Sequence, residues 1–323
     1  MMPLPTVLCF TLLLACLSCQ PEVSDTARAA EAATVSVAVQ TAAASSPSAP
    51  VREALDTLET AHLVYPWLRE RGQLLEVEQC LAQRIAPPAG YVRSEVARNS
   101  FADWLRHLPL QAAGAPVRLY DGRMKTRQDV HAAVVDIDVG ARDLQQCADA
   151  VMRLRAEYLY GREAYEAIHF NFTSGDRVSF DDWRYGQRPQ VRGNRVVFGV
   201  RGEVADNRYS NFKAYLKQIF NYAGTASLSK ELRPIRPAEL RVGDVFILGG
   251  FPGHAVLVVD VVENGVGDRL FLLAQSYMPA QNIHILKNPN ARELSPWYPL
   301  DFGETLRTPE WTFTSDQLYR FSQ

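Results

Sequence analysis

The sequence has few cysteines and no recognisable metal-binding motif. Three of its five cysteines lie in the first twenty residues, so only Cys80 and Cys147 remain in the rest of the chain. Two cysteines can form one disulfide in an oxidising compartment, but they do not make a disulfide-rich scaffold. The six histidines are scattered, and neither CxxC nor HExxH occurs after residue 19, which argues against the common zinc sites. We therefore expect no metal and no cofactor.

A strong excess of charge of either sign is also missing. The formal net charge is -2 at pH 7, and the basic residues are spread along the chain rather than clustered. Proteins that bind nucleic acid usually present a basic patch to the phosphates. We therefore predict no nucleic-acid partner. The composition, 47% hydrophobic and 22% charged, is that of an ordinary globular protein.

The apolar stretch near the N terminus is too short to span a bilayer, which needs about 20 apolar residues. This stretch, LPTVLCFTLLLACLSC, ends in small residues as a secretory signal sequence does, which predicts a signal peptide over residues 1–19. LLAC, ending at Cys16, resembles the site at which bacterial lipoproteins are lipidated, and Cys19 in CLSC is the alternative. The segment before it, MMPLPT, lacks the Lys or Arg usual in such signals.

Residues 20–50 consist mostly of Ala, Ser, Thr, Val and Pro. This composition buries too little apolar surface to offset the entropy lost when a chain becomes ordered. We expect a disordered tether between a lipid anchor in the membrane and a folded domain over residues 51–323. The protein would then be exported and held at the bacterial cell envelope. An ordinary cleaved signal peptide is the alternative.

The rest of the chain combines helix and strand patterns joined by short loops. Apolar residues at helical spacing predict helices in the segments that begin NSFADW, RDLQQC and YSNFKA. Strands are predicted for HAAVVDIDV, AIHFNF, NRVVFGV, DVFILGG, HAVLVVDVV and RLFLLAQSY. The short connections between successive strands predict antiparallel pairing. We therefore predict an α+β fold in a single domain, with one or two lobes.

The predicted helix starts bear on the choice of a nucleophile. Asp143 is the predicted N-cap of the second helix, which places Cys147 one turn inside it, on an apolar stripe. Ser210 is the predicted N-cap of the third helix. A helix N-terminus lowers the pKa of a thiol, so Cys147 is a candidate nucleophile as well as a candidate core residue. Ser210 is likewise either a helix cap or a nucleophile.

The segment GGFPGHAVLVVD places His254 at the start of the longest apolar strand. If VENGVGD is the hairpin loop, with Val262 and Asp268 near its ends, His254 lies opposite Ser276 on the next strand, with Gln275 beside it. A histidine oriented by an amide side chain is the base-and-orienter pair of papain-like enzymes. A histidine that merely bonds to loop backbone is the alternative.

The polar segment QSYMPAQ follows the second strand of this hairpin. Gln275, Ser276, Tyr277 and Gln281 lie in it, and irregular polar segments at strand ends often carry function. We predict ligand contacts for Tyr277 and Gln281, with a self-contained turn as the alternative. Trp297 is a candidate for stacking on a sugar, with aromatic core packing as the alternative.

One resemblance covers residues 207–277. ELRVGDVFILGGFPGHAVLVVD and NFKAYLKQIFNYAGTASLSKEL resemble the second half of NlpC-type, papain-like cell-wall hydrolases. The resemblance implies a papain-like antiparallel sheet with packed helices and a catalytic role for His254. It also implies a cysteine at the start of the preceding helix, where this chain has Ser210 instead.

A broader resemblance covers residues 60–321. SFADWLRHLPL, HAAVVDIDVG, HFNFTSG, FLLAQSYMPAQNIHILKNP and SPWY resemble an uncharacterised bacterial lipoprotein family, domain of unknown function 4846. This resemblance implies no particular activity. We therefore expect a tethered envelope protein that binds peptide or glycan, with peptidoglycan as a candidate partner. An active envelope amidase or peptidase centred on His254 is one alternative, and a structural lipoprotein that contacts a protein partner is another.

Overall fold

The computed structural model describes residues 63–193 and 195–322. The predicted signal peptide, the candidate lipidation residues Cys16 and Cys19, and the predicted tether lie outside the described residues. Within the described residues, no helix is both long and apolar enough to cross a membrane.

The described residues form helices and strands in mixed order. The α-helices are α1 Pro66–Glu70, α2 Leu81–Arg84, α3 Phe101–Arg106, α4 Cys147–Gly161, α5 Phe180–Arg184, α6 Tyr209–Tyr222 and α7 Thr225–Glu231. The strands are β1 Tyr91–Arg93, β2 His131–Val134, β3 His169–Asn171, β4 Arg177–Ser179, β5 Pro189–Arg192, β6 Arg195–Phe198, β7 Arg233–Pro234, β8 Val245–Leu248, β9 His254–Asn264, β10 Arg269–Gln275, β11 His284–Leu286, β12 Tyr298–Pro299, β13 Thr305–Arg307, β14 Thr312–Thr314 and β15 Leu318–Arg320.

The main sheet is antiparallel throughout. Its strands lie in the order β2, β11, β10, β9, β8, β15 and β7, while β1 pairs with β9 and β12 with β10. Three separate hairpins, β3–β4, β5–β6 and β13–β14, lie outside this sheet. The predicted α+β class with antiparallel pairing is confirmed.

Strand β9 is the centre of the sheet and is buried from His254 to Val262. A strand that is apolar at nearly every position has to be covered on both faces. Helices α3 and α4 pack against β9. Aromatic side chains also pack within the sheet core, where the Phe246 ring lies 5.8 Å from Phe271 and 5.9 Å from Phe313. Because β9 is packed on both faces, its first residue, His254, is held in a defined position.

Asp260 is the one acidic residue in the buried stretch of β9, and its exposure is 0%. A charge in this position has to be paired, because desolvation without a partner is costly. Arg93 Nε and Arg106 Nε donate to its two carboxylate oxygens, each at 2.7 Å. These two ion pairs join β1 and α3 to the central strand.

The loop of the β9–β10 hairpin is shorter than the sequence predicts. Val262 pairs with Leu270 and not with Asp268, because β9 continues to Asn264. The Asn264 side-chain oxygen accepts hydrogen bonds from the backbone of Val266 and Asp268, at 3.1 and 2.8 Å, and closes the loop. A bulge between Leu272 and Leu273 then shifts the register by one residue.

The start of α6 also differs from the prediction. The N-cap is Arg208 and not Ser210, which lies inside the first turn. Arg208 has extended backbone, and its backbone N–H and guanidinium bond to Asp206. These contacts hold the chain in an extended conformation before Tyr209 begins the helix. Ser100 caps α3, accepting from Asp103 N at 3.1 Å.

We predict that Asp260→Asn destabilises the fold by about 3 kcal/mol, because it leaves one buried guanidinium, that of Arg106, and one partly buried guanidinium, that of Arg93, without a counter-charge. Urea denaturation followed by tryptophan fluorescence measures the change. Asp129→Asn is the matched control, since Asp129 pairs with Arg127 at the exposed surface. Equal urea midpoints for the two variants would show that the Asp260 pairs do not stabilise the fold.

Candidate functional site

His254 begins β9 and lies in an aromatic cage. Its ring centroid is 4.9 Å from that of Tyr277, 5.2 Å from Trp311 and 5.9 Å from Phe313. The residue is 2% exposed. Burial disfavours the charged imidazolium and lowers the pKa of His254 to about 4, so the ring is neutral at pH 7.

Gln275, the last residue of β10, connects His254 to two further groups. Its Oε1 lies 2.9 Å from His254 Nε2. Its Nε2 donates to Glu310 Oε2 at 2.8 Å and lies 3.3 Å from His284 Nε2. His284 Nδ1 lies 2.9 Å from the carbonyl oxygen of Asn282. Every polar atom of the Gln275 side chain therefore has a partner.

These contacts assign the tautomer of His254. A carboxylate only accepts hydrogen bonds, so the atom of Gln275 that faces Glu310 has to be the amide nitrogen. The amide oxygen then faces His254, and His254 Nε2 has to carry the proton that it accepts. The lone pair of the neutral ring is consequently on Nδ1. This is the protonation state that a base acting through Nδ1 requires.

Glu310 is itself held by Lys125. Their side chains form an ion pair at 2.7 Å and are only about one tenth exposed. Lys125 Nζ also lies 5.3 Å from the ring centroid of Tyr277, over its face. Lys125, Glu310 and Gln275 thus form a continuous chain of polar contacts that ends at His254.

Cys147 is the first residue of α4, and its sulfur faces the backbone N–H of Ala255, the residue after His254. The thiol also acts electrostatically on Tyr277, the residue that packs on the His254 ring. Burial first, and the nearby Asp149 second, raise the pKa of Cys147 to about 11. Cys147 therefore lies near Ala255 and Tyr277, the two residues that adjoin His254 in sequence and in ring packing, and its thiol is neutral at pH 7.

The position of Cys147 at the start of α4 corrects the predicted helix start. Asp143 is not the N-cap: its carboxylate accepts from Ala280 N at 2.7 Å and from Gln146 Nε2 at 3.0 Å. Gln146 is the N-cap instead, and its backbone N–H donates to Asp149 Oδ2 at 3.0 Å. Tertiary pairing of Asp143 with the QSYMPAQ segment thus delays the helix by several residues.

Cys80 and Cys147 do not form a disulfide, and both are free and buried. Cys80 is the residue before α2, and its backbone forms an isolated β-bridge with Pro109. The predicted alternative of one disulfide is therefore not adopted in this structure.

Ser276 and Gln281 are buried beside the site but face other partners. Ser276 Oγ lies 3.0 Å from Gln145 O and 2.9 Å from Gln281 O. The side-chain oxygen and nitrogen of Gln281 have no hydrogen-bond partner within the described residues, although the residue is 0% exposed. Gln275, and not Ser276, is the residue that orients His254.

Two other predicted residues lie apart from His254. Trp297 is 2% exposed and its Nε1 donates to Ala86 O at 3.1 Å, so no face of its ring is available to a sugar. Ser210 is exposed and lines a cavity beside Lys213 and Phe220. This placement does not support a nucleophilic role for Ser210.

Three residues of the site have no recognisable signal in the sequence. Glu310, Trp311 and Lys125 lie in loops far from the hairpin in sequence, and only tertiary folding brings them to it. A surface depression of about 610 Å³ is lined by Glu310 and by Tyr277 and Trp311, which both pack on the His254 ring. Within the described residues, no group of three or more His, Cys, Asp or Glu side chains is arranged to hold a metal ion.

Comparison with known proteins gives one match. The family model described as "Domain of unknown function (4846)" matches residues 81–320, which is more than half of the chain and includes every residue of the site. No curated protein matches, and no solved structure matches.

We predict that stability rises with pH between about 4 and 6.5. The pKa values of His254 and His284 are lowered by burial to about 4 and about 3, so the unfolded chain takes up protons first as the pH falls. Stability that is fully present above pH 6.5 is then lost at about 1.4 kcal/mol per pH unit for each histidine. Urea unfolding at a series of pH values measures the slope.

The His254→Asn variant should reduce the slope of stability against pH by about 1.4 kcal/mol per pH unit, which is the contribution of one histidine. Trp311→Phe is the control, because it changes the packing over the ring but removes no titrating group. An unchanged slope in His254→Asn protein would mean that His254 does not titrate differently in the folded and unfolded chains.

Proposed function

The chain belongs to the family described as domain of unknown function (4846), and we propose that this member is a thiol-dependent hydrolase of acyl compounds. In this proposal Cys147 is the nucleophile, His254 the base and Gln275 the residue that orients the base. The observation that carries the proposal is the hydrogen bond between His254 Nε2 and Gln275 Oε1, on two strands that pack against the helix that begins with Cys147.

The proposed reaction on an amide proceeds through an acyl-enzyme. The Cys147 thiol proton moves to His254 Nδ1 as the sulfur bonds to the carbonyl carbon. The carbon–nitrogen bond then breaks, and the leaving amine takes the proton from Nδ1. Water then attacks the thioester carbon while His254 Nδ1 accepts its proton, the carbon–sulfur bond breaks, and His254 returns the proton to the sulfur, which releases the carboxylic acid and restores the free thiol.

The N-terminus of helix α4 stabilises negative charge at the nucleophile. The first backbone N–H groups of a helix have no acceptor within it, and their partial positive charge stabilises a thiolate or an oxyanion. Helix α4 has 15 residues, and Cys147 is its first. This effect opposes the burial that raises the pKa of the thiol, and it acts on the charged states formed during the reaction.

The order of the three residues also favours a papain-like arrangement, with the nucleophile on a helix and the base and orienter on neighbouring antiparallel strands. Here Cys147 starts α4, His254 starts β9 and Gln275 ends β10, and α4 packs against β9. The resemblance to NlpC-type hydrolases assigned the nucleophile helix to α6, where Ser210 lies. We propose α4 as the nucleophile helix instead.

Cell-envelope peptides are the proposed substrate class. This choice depends on the expected export of the chain and on the resemblance of GDVFILGGFPGHAVLVVD to cell-wall hydrolases. The candidate lipidation residues Cys16 and Cys19 would then hold the domain at the envelope. Mass spectrometry of the mature N-terminal peptide should find an acylated residue 16 or 19. An unacylated peptide beginning elsewhere would contradict lipid anchoring.

Ligand binding without turnover is the second candidate function. Cys147 is only 8% exposed, and its pKa is raised to about 11. Both observations favour an unreactive thiol. In this case the same depression beside His254 would bind an envelope peptide or glycan without cleaving it.

We predict that p-nitrophenyl acetate acylates Cys147, because a positioned base lets a neutral thiol attack an activated ester. The readouts are a burst of p-nitrophenol and an acetyl group located on Cys147 by mass spectrometry. His254→Ala should slow acylation by about 10²–10⁴-fold. Cys80→Ser is the matched control and should retain the burst, because Cys80 is remote from His254 in sequence and contacts α2 and Pro109.

The same proteins are then incubated with muropeptides from bacterial peptidoglycan. Cleavage that requires Cys147 supports the hydrolase. Saturable binding without cleavage, combined with no acetyl group on Cys147, would establish the second candidate and overturn the first. Equal acylation of wild-type and His254→Ala proteins would remove His254 from the mechanism.

A further inference from the structure

A second cavity, of about 360 Å³, lies between the segment before α4 and helix α6. Its volume is in the range of pockets that hold small molecules. Its apolar wall includes Val139, Leu144, Leu216 and Phe220. The cavity takes no part in the proposed hydrolase site, since it is lined by neither Cys147, His254 nor Gln275.

The cavity carries an excess of positive charge. Four cationic side chains line it, but two of them are already neutralised: Arg153 by Glu157 at 2.6 Å and Lys213 by Asp138 at 2.7 Å. The other two are Arg142 and Lys217, which are exposed and whose side chains form no ion pair within the described part of the chain. The unpaired charges favour an anionic ligand.

Gln145, in the wall of the cavity, adds a buried hydrogen-bond donor that no described residue satisfies. The residue is 1% exposed, and its Oε1 accepts from Arg153 Nη1 at 2.8 Å. Because a guanidinium only donates, this contact fixes the orientation of the amide. The amide nitrogen, Nε2, is buried and has no acceptor among the described residues. A buried donor without a partner is costly, and a ligand oxygen would satisfy it.

We propose that this cavity binds a small molecule with one carboxylate on an apolar body. The carboxylate accepts from Gln145 Nε2 and is attracted by Lys217 and Arg142. The apolar body packs against Leu216 and Phe220. The mostly apolar wall favours a singly charged head group on an aliphatic chain over a compact, strongly hydrated anion. Two sources share this chemistry, a free fatty acid and the carboxyl terminus of a peptide that ends in an apolar residue.

Isothermal titration of the full chain with octanoate tests the proposal. We expect saturable binding to one site, about 15-fold tighter than that of hexanoate, because two further methylene groups are buried. Octylamine, which has the opposite charge on the same chain length, should not bind. N-acetyl-leucine in place of octanoate distinguishes the two sources: tighter binding of octanoate favours a fatty acid, and tighter binding of N-acetyl-leucine favours a peptide terminus.

Three variants locate the site. Lys217→Glu should weaken binding by about tenfold, because it reverses an exposed charge at the cavity. Gln145→Glu keeps the size of the side chain and its contact with Arg153 but replaces the donor by an acceptor, so it should weaken binding as well. Lys230→Glu, on α7 and outside the cavity, should bind as the wild type does.

Several results would overturn the proposal. These are no octanoate binding in the millimolar range, equal binding of octylamine, or unchanged binding by both the Lys217→Glu and the Gln145→Glu proteins. Circular dichroism confirms that each variant is folded. If only Gln145→Glu fails to fold, the exposed Lys217→Glu variant decides the outcome.

Discussion

The hydrogen bond between Glu310 and Gln275 determines the chemistry of the candidate site. A carboxylate can only accept, so Glu310 fixes which end of the Gln275 amide faces His254. The amide oxygen then requires a proton on His254 Nε2, and the lone pair of the ring lies on Nδ1. A loop that carries Glu310 thereby sets the protonation state of a histidine on a distant strand. Lys125 pairs with Glu310 at 2.7 Å and holds it in place.

Burial keeps both His254 and Cys147 uncharged. The aromatic cage excludes water from His254, and burial likewise keeps Cys147 a thiol, so the resting pair is neutral. A neutral pair agrees with proton transfer during attack better than with a preformed thiolate–imidazolium pair. Because both side chains are buried, the main requirement for reactivity is that a substrate can reach them. Tyr277 and Trp311 pack on the ring and also line the surface depression, so a molecule in this depression would meet them before His254.

The sequence predicted those parts of the fold and site that depend on local pattern. Continuous apolar strands with a short loop between them gave the antiparallel hairpin, and from it the proximity of His254 to Gln275. The prediction failed where tertiary contacts compete with local ones. Asp143 has the chemistry of a helix cap, but it bonds to Ala280 N, and the helix therefore begins at Cys147. Glu310 could not have been found, because nothing in its local sequence points to Gln275.

The tautomer of His254 is the most direct test of this account, because the orientation of Gln275 and the role of Nδ1 both depend on it. A long-range ¹H–¹⁵N correlation spectrum of the histidine side chains at pH 7 measures it, with His254→Asn protein used to assign the signal. We expect a neutral ring with the proton on Nε2 and an unprotonated Nδ1. A proton on Nδ1, or a charged ring at this pH, would contradict it.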